Sequence, residues 1–160
     1  MRKNKQKTKK RVIVSKEDVC GWLYNDTVKE HFMNPKNFLV DEKKYKADGV
    51  GMVGSPACGD MMIVWIKVDK ELQKIKGCKW RTFGCASAIA STSMMSVMAT
   101  EKGGMKLSEA IRLKPEQIVD RLKGLPNRKF HCSVLGQEAL RKAINDYLDH
   151  AKKKQTKVNL

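Results

Sequence analysis

Apolar residues along the chain change period, and each change predicts a new element. Val19, Trp22, Leu23, Val28 and Phe32 recur at roughly helical spacing behind Ser15, Glu17 and Asp18, a capped helix start. That helix is expected to end before Asn34-Pro35, because a residue preceding proline disfavours the helical region. Residues 34–48 are polar and turn-rich. From Gly49 the pattern shortens to strand length: Gly49 to Ser55, Asp60 to Val68 and Ile75 to Phe83, with Asp69-Lys70 turning between the last two. In the third strand Cys78, Trp80 and Thr82 share one face, while Lys79 and Arg81 share the other. Short connections predict an antiparallel meander.

From Cys85 the period returns to helical, with Ala86, Ile89, Ala90, Met94, Val97 and Met98 as one expected stripe up to Gly103-Gly104. Leu107 to Leu113 and Pro115 to Leu122 predict two short helices, the second with proline in its first turn. A final amphipathic helix is expected from about Ser133 to Ala151, carrying Leu135, Ala139, Leu140, Ala143, Ile144, Tyr147 and Leu148. The fold class is therefore α+β: a three-stranded antiparallel sheet with about five helices packed mainly on one face. The expected organisation is one domain over residues 15–151 between basic disordered tails at 1–14 and 152–160.

Charge changes this picture little. The formal net charge of +16 suggests a nucleic-acid binder, but residues 1–11 hold seven basic side chains and 151–160 hold four, with no acid in either. Of the +16 only +5 then belongs to the body, which lacks a basic helix face with interleaved aromatics, so nucleic acid is not an expected ligand. No run approaches the ~18 apolar residues of a membrane span. The basic start is followed by no apolar secretory region and has no amphipathic face, so a cytoplasmic location is expected.

Cysteine placement carries the chemistry. An odd count of five, without a secretory signal, argues against a disulfide framework and for metal or sulfur chemistry. Cys58 lies in Pro56-Ala57-Cys58-Gly59-Asp60, a turn into a strand that points a thiol and the Asp60 carboxylate one way. Cys85 follows Gly84 and opens a helix, where amides and dipole favour a thiolate. His131-Cys132 is expected just before the last helix, with the same effect on Cys132 and with His131 as ligand or proton carrier. Three thiols plus oxygen or nitrogen suit zinc or an iron–sulfur cluster, and replacing a fourth thiol by Asp60 suggests exchangeable binding. Cys20 and Cys78 read as core residues.

Four segments then carry a resemblance: Tyr24-Asn25 through Asn34-Pro35-Lys36-Asn37, Gly51 to Asp60, Thr82 to Ser91, and His131-Cys132-Ser133. In order and over about residues 22–150, they resemble the IscU/NifU N-terminal scaffold family. The resemblance implies iron binding and a transient [2Fe–2S] cluster on Cys58, Cys85 and Cys132, with zinc as an occupant of the apo form. It implies that Asp60 aids cluster release, that His131 is an alternative ligand, and that Lys129 matches a basic residue near the site. It implies a carrier and not an enzyme. Cys132 would accept persulfide sulfur from a cysteine desulfurase, an electron donor such as a ferredoxin would supply reduction, and apo iron–sulfur proteins would receive the cluster. A homodimer is allowed. Members served by an Hsp70-type chaperone carry Leu-Pro-Pro-Val-Lys where this chain has Leu125-Pro126-Asn127-Arg128-Lys129, which leaves that partner open. The alternative is a SufU-like zinc-dependent sulfur transferase, similar at Ser91 to Met95. That branch typically carries an insertion between its second and third cysteines and a basic residue where His131 stands; 47 positions separate Cys85 and Cys132 here.

Overall fold

The structure, a computed structural model, describes residues 24–55 and 59–158. The expected tail at 1–14, the cap at Ser15, Cys20 and Cys58 lie outside the described residues. The order is α1 (Asp26–Met33), β1 (Gly49–Ser55), β2 (Asp60–Asp69), β3 (Lys74–Phe83), α2 (Ala86–Thr100), α3 (Leu107–Ala110), α4 (Pro115–Arg121) and α5 (Phe130–Val158). Among the described residues this is the expected α+β arrangement, a three-stranded antiparallel sheet in the order β1-β2-β3 with five helices.

Strand alternation builds the core. Met62, Val64, Ile66 and Val68 of β2 are buried on one face. Register sets Val53, Gly51 and Gly49 beside the first three on one side and Thr82, Trp80 and Cys78 on the other. Helix α5 packs over β1 and β2, and α2 packs over β3. Gly49 and Gly51 let α5 come down onto β1: a Cβ at either would run into the backbone carbonyl of Ala143 or Ala139. Helix α5 also caps the free edge of β1. The Val50 N–H donates to Asp146 Oδ2 at 2.9 Å, and Lys142 Nζ donates to the Met52 carbonyl at 3.2 Å. The opposite edge is closed by residues 36–40, where the Leu39 N–H donates to the Trp80 carbonyl at 2.9 Å and the Trp80 indole donates to the Lys36 carbonyl at 2.8 Å. Neither edge offers a bare ladder to another chain.

Three features depart from the expected pattern. Helix α1 is capped within the described residues by Asn25, whose side chain accepts from the Val28 N–H at 3.0 Å, and it ends ahead of Asn34-Pro35. Helix α2 is not striped. Ser87, Ser91, Thr92, Ser93 and Ser96 are buried, while the expected stripe members Ala86, Ile89 and Val97 are only half-buried. The reason is that α1, β3, α4 and α5 surround it. Most of its hydroxyls are taken up by neighbouring backbone and loop: Thr92 donates to the Ala88 carbonyl at 2.8 Å, and the Lys36 N–H donates to Ser93 Oγ at 2.8 Å, while Ser91 Oγ is buried without a partner. Helix α5 begins three residues earlier than expected and continues to Val158, through lysine- and glutamine-rich sequence that favours helix, so residues 152–158 of the expected disordered tail are helical. Among the described residues no helix is long and apolar enough to cross a membrane.

Two outcomes follow for stability. Gly51→Ala forces side chain against α5 backbone, and about 3 kcal/mol of destabilisation is expected in urea unfolding. Burial pushes the Cys78 thiol up to about 12. The unfolded thiol ionises near its ordinary value, so above about pH 9 the unfolded state holds fewer protons and stability falls as pH rises towards 12. A slope of about 1 kcal/mol per pH unit is expected from this group, and Cys78→Ala should shallow the pH dependence measured between pH 8 and 11.

Candidate metal centre

Helices α2 and α5 both start at the end of the sheet where β2 begins and β3 ends, and this convergence assembles the site. Cys85 is the N-cap residue of α2, with the Ala88 and Ile89 amides returning to its carbonyl at 2.9 and 3.1 Å. Asp60 is the first residue of β2 and is 5% exposed. His131 and Cys132 lie inside the first turn of α5, not ahead of it as expected; a short 3-10 turn over Asn127–Lys129 feeds directly into the helix. Helical geometry then directs the Cys132 side chain inward, where it is 0% exposed.

Cys132 Sγ is the hub. It stands 3.6 Å from Cys85 Sγ, 3.5 Å from His131 Nε2 and 3.8 Å from Asp60 Oδ2. His131 Nε2 is 3.9 Å from Asp60 Oδ2. Tetrahedral coordination with metal–sulfur bonds near 2.3 Å and metal–nitrogen or –oxygen bonds near 2.0–2.1 Å sets donor–donor spacings of about 3.3–3.8 Å. Asp60, His131 and Cys132 lie within 4.8 Å of one another and come close to that spacing before any ion is bound. Cys85 joins through its contact with Cys132. Cys58 is outside the described residues, so its place relative to these donors is not part of the geometry.

The electrostatics of Cys132 run against the sequence expectation. Burial pushes its thiol well above the usual range, and the nearby Cys85 sulfur and then the Asp60 carboxylate push the same way; Lys129 opposes them only weakly. The balance holds the proton on Cys132 more tightly than on an ordinary thiol. A cation replacing its proton removes that penalty. Lys129, named in the sequence, has its ammonium pKa raised chiefly by Cys85, which places a positive charge beside that sulfur. The Ser87 hydroxyl, in the first turn of α2, donates to the Tyr24 hydroxyl at 2.9 Å.

One positioning residue escaped the sequence reading. A Cβ at Gly84 would lie 2.7 Å from Asp60 Oδ1 and 3.0 Å from Ala88 Cβ. The missing side chain makes the slot into which the Asp60 carboxylate fits. The only signal was a glycine between a strand and Cys85, which reads equally well as a turn.

The chain is similar to known proteins. Residues 23–155 match the family described as NifU-like N-terminal domain. An Archaeoglobus fulgidus protein named iron-sulfur cluster assembly scaffold protein IscU 1 is 46% identical over 125 residues, 78% of this chain and 76% of that protein. A Drosophila melanogaster protein named iron-sulfur cluster assembly enzyme IscU is 46% identical over 133 residues, 82% of each chain. Among solved structures, the N-terminal part of a NifU-like protein from Brucella abortus shares the fold, with a TM-score of 0.58 at 18% identity over 79% of this chain and 95% of that one.

Gly84→Ala should move the Asp60 carboxylate out of its slot. A Co(II) titration followed by its thiolate charge-transfer bands is expected to show affinity about tenfold weaker, with the fold retained by circular dichroism. Unchanged affinity would mean that the slot does not set the carboxylate's position.

Proposed function

The chain belongs to the NifU-like N-terminal domain family, and from that premise we propose that it is a scaffold on which a [2Fe–2S] cluster is built and passed on. The observation that carries this reading is the cluster of unlike donors around Cys132: carboxylate, imidazole and thiol within 4.8 Å, with a second thiol 3.6 Å from the first. Relatives named as assembly scaffolds at 46% identity support it.

Iron enters as cargo and is held by Cys85, Cys132, Asp60 and His131, with Cys58 completing the thiol set. Sulfur arrives as a persulfide from a cysteine desulfurase and resides on Cys132. Two electrons from a donor such as a ferredoxin, with a proton, cleave the Cys132 S–S bond, releasing hydrosulfide for the cluster and restoring the thiolate. Asp60 keeps one corner labile, because a carboxylate is a harder and weaker partner for iron in a sulfide-rich unit than a thiolate. An apo acceptor with a full thiol set then draws the cluster away. The protein holds and orients the reactants, while electrons and sulfur come from outside.

Anaerobic reconstitution with ferrous iron and sulfide should yield a red-brown protein with sulfur-to-iron charge-transfer bands. Asp60→Ala is expected to lengthen cluster lifetime and slow transfer to an apo-ferredoxin by about tenfold. A colourless protein holding one tight zinc and turning over persulfide would overturn the scaffold reading in favour of a zinc-dependent sulfur transferase. Transfer at an unchanged rate in the Asp60 variant would remove the role assigned to the carboxylate.

A further inference from the structure

The end of the sheet opposite the metal centre carries an open groove of about 330 Å³ between the β2–β3 turn, α3 and α5. Leu107 and Ile144 are the buried part of its lining, Ile111 and Leu148 the half-buried part, and Leu72 stands at its edge 61% exposed. The turn fixes Leu72 there. Asp69 Oδ1 accepts from the Glu71 and Leu72 N–H groups at 3.1 and 3.0 Å. Gln73 takes a left-handed φ of 50°, and its carbonyl accepts from the Leu107 N–H at 2.9 Å. A large apolar side chain already held in place by its backbone offers contact area at little ordering cost.

Charge at the rim is unbalanced. Lys106 lines the groove, and Lys74 is its antiparallel bridge partner. The Ile75 N–H donates to the Met105 carbonyl and the Leu107 N–H to the Gln73 carbonyl, both at 2.9 Å. Lys74 and Lys106 are therefore a non-hydrogen-bonded pair, the kind whose side chains come closer. Like charges set directly opposite each other are destabilising. Among the described residues neither ammonium makes an ion pair, and the nearby Glu109 carboxylate is turned to the Lys106 backbone N–H at 3.4 Å. A carboxylate seated between the two ammoniums relieves their repulsion.

We infer that this groove is a docking site for an acidic amphipathic helix of a partner protein. The helix lays apolar side chains against Leu72, Leu107 and Leu148 and sets a carboxylate between Lys74 and Lys106. The bridge already engages the backbone of Lys74, so the partner docks by side chains and not by adding a strand. The whole of β2, from Asp60 to Asp69, separates the groove from the metal centre, roughly 30 Å at the rise of a strand. A partner held here leaves the donor cluster open to a second protein. The surface goes beyond the cluster-scaffold reading and does not depend on it.

The test uses isotope-labelled, metal-free, full-length protein and a synthetic helical peptide with leucines on one face and glutamates on the other. In amide NMR spectra the peptide should shift the signals of Leu72, Lys106, Leu107 and Leu148, leave those of Cys85 and Cys132 in place, and bind more weakly as salt rises. Lys106→Glu, at an exposed position, should weaken binding by about tenfold, and Leu72→Ser by about fivefold, with circular dichroism unchanged. Absence of any shift at the groove would overturn the proposal. Equal binding by a counterpart peptide with lysine in place of each glutamate would do the same, since charge then plays no part. Oleate moving these signals where the glutamate peptide does not would assign the groove to a small amphiphile. Shifts that grow with protein concentration alone would assign it to a second copy of the chain. Either result overturns the acidic helix as occupant. No step involves metal, so the outcome is read separately from cluster reconstitution.

Discussion

Contact between the backbone of α5 and the glycines of β1 is the constraint on which the site depends. Gly51 lies against Ala139 and Gly49 against Ala143, so the helix descends in number as the strand ascends. Ser55, four residues beyond Gly51, pairs with Asp60. Four strand residues cover about 13 Å, which α5 covers in about nine residues. Counting back from Ala139 arrives at the first turn of the helix, where His131 and Cys132 stand. The seat of a helix on two glycines thus sets which α5 residues meet the Asp60 carboxylate. Asp146 and Lys142, gripping the edge of β1, hold that seat against sliding.

Strands were legible because their signal is local. Alternating Met62, Val64, Ile66 and Val68, with a turn after Asp69, specify a half-buried β2 without knowledge of its neighbours. Helix α2 was misread for the opposite reason. Its serines are polar by any residue scale, and only the crowd of α1, β3, α4 and α5 around them makes them interior. Small hydroxyl side chains let those elements come close, and Thr92, Ser93 and Ser96 recover hydrogen bonds from nearby carbonyls and from the 34–37 loop. The start of α5 was placed late because Phe130, His131 and Cys132 fall outside the apolar repeat that Leu135 begins, while the helix itself grows from the preceding 3-10 turn.

The candidate site divides along the same line. Cys85, Asp60, His131 and Cys132 were identifiable from residue type, turn chemistry and a resemblance carried by long motifs. Their separations were not, since each pair lies on different elements except His131 and Cys132. The slot at Gly84 was invisible because it exists only when β2 and β3 are in register and Asp60 folds back over the strand end. The rise of the Cys132 thiol was not legible because a helix start and an imidazole are local features, whereas the burial that leads the rise comes from the whole of the sheet end.

That burial has a chemical consequence for the proposed uptake and release of metal. A solvated thiolate binds a cation by exchanging water for metal, with little change between empty and loaded states. Cys132 instead begins as a desolvated thiol, so the ion displaces its proton and relieves an electrostatic penalty already present. The other two donors lie on opposite sides of the solvent boundary: Asp60 is held at 5% exposure in its glycine slot, and His131 is 39% exposed. One donor is fixed before metal arrives, and the other can swing outward without unpacking the core. In the proposed cycle, preorganisation on the inner side would favour assembly, and the exposed side would face an acceptor. There the carboxylate supplies the weak bond, and the exposed imidazole marks the side from which an acceptor would reach it. Release on that side would leave the packed ends of α2 and α5 undisturbed, so that in the proposed cycle the same folded protein would load again.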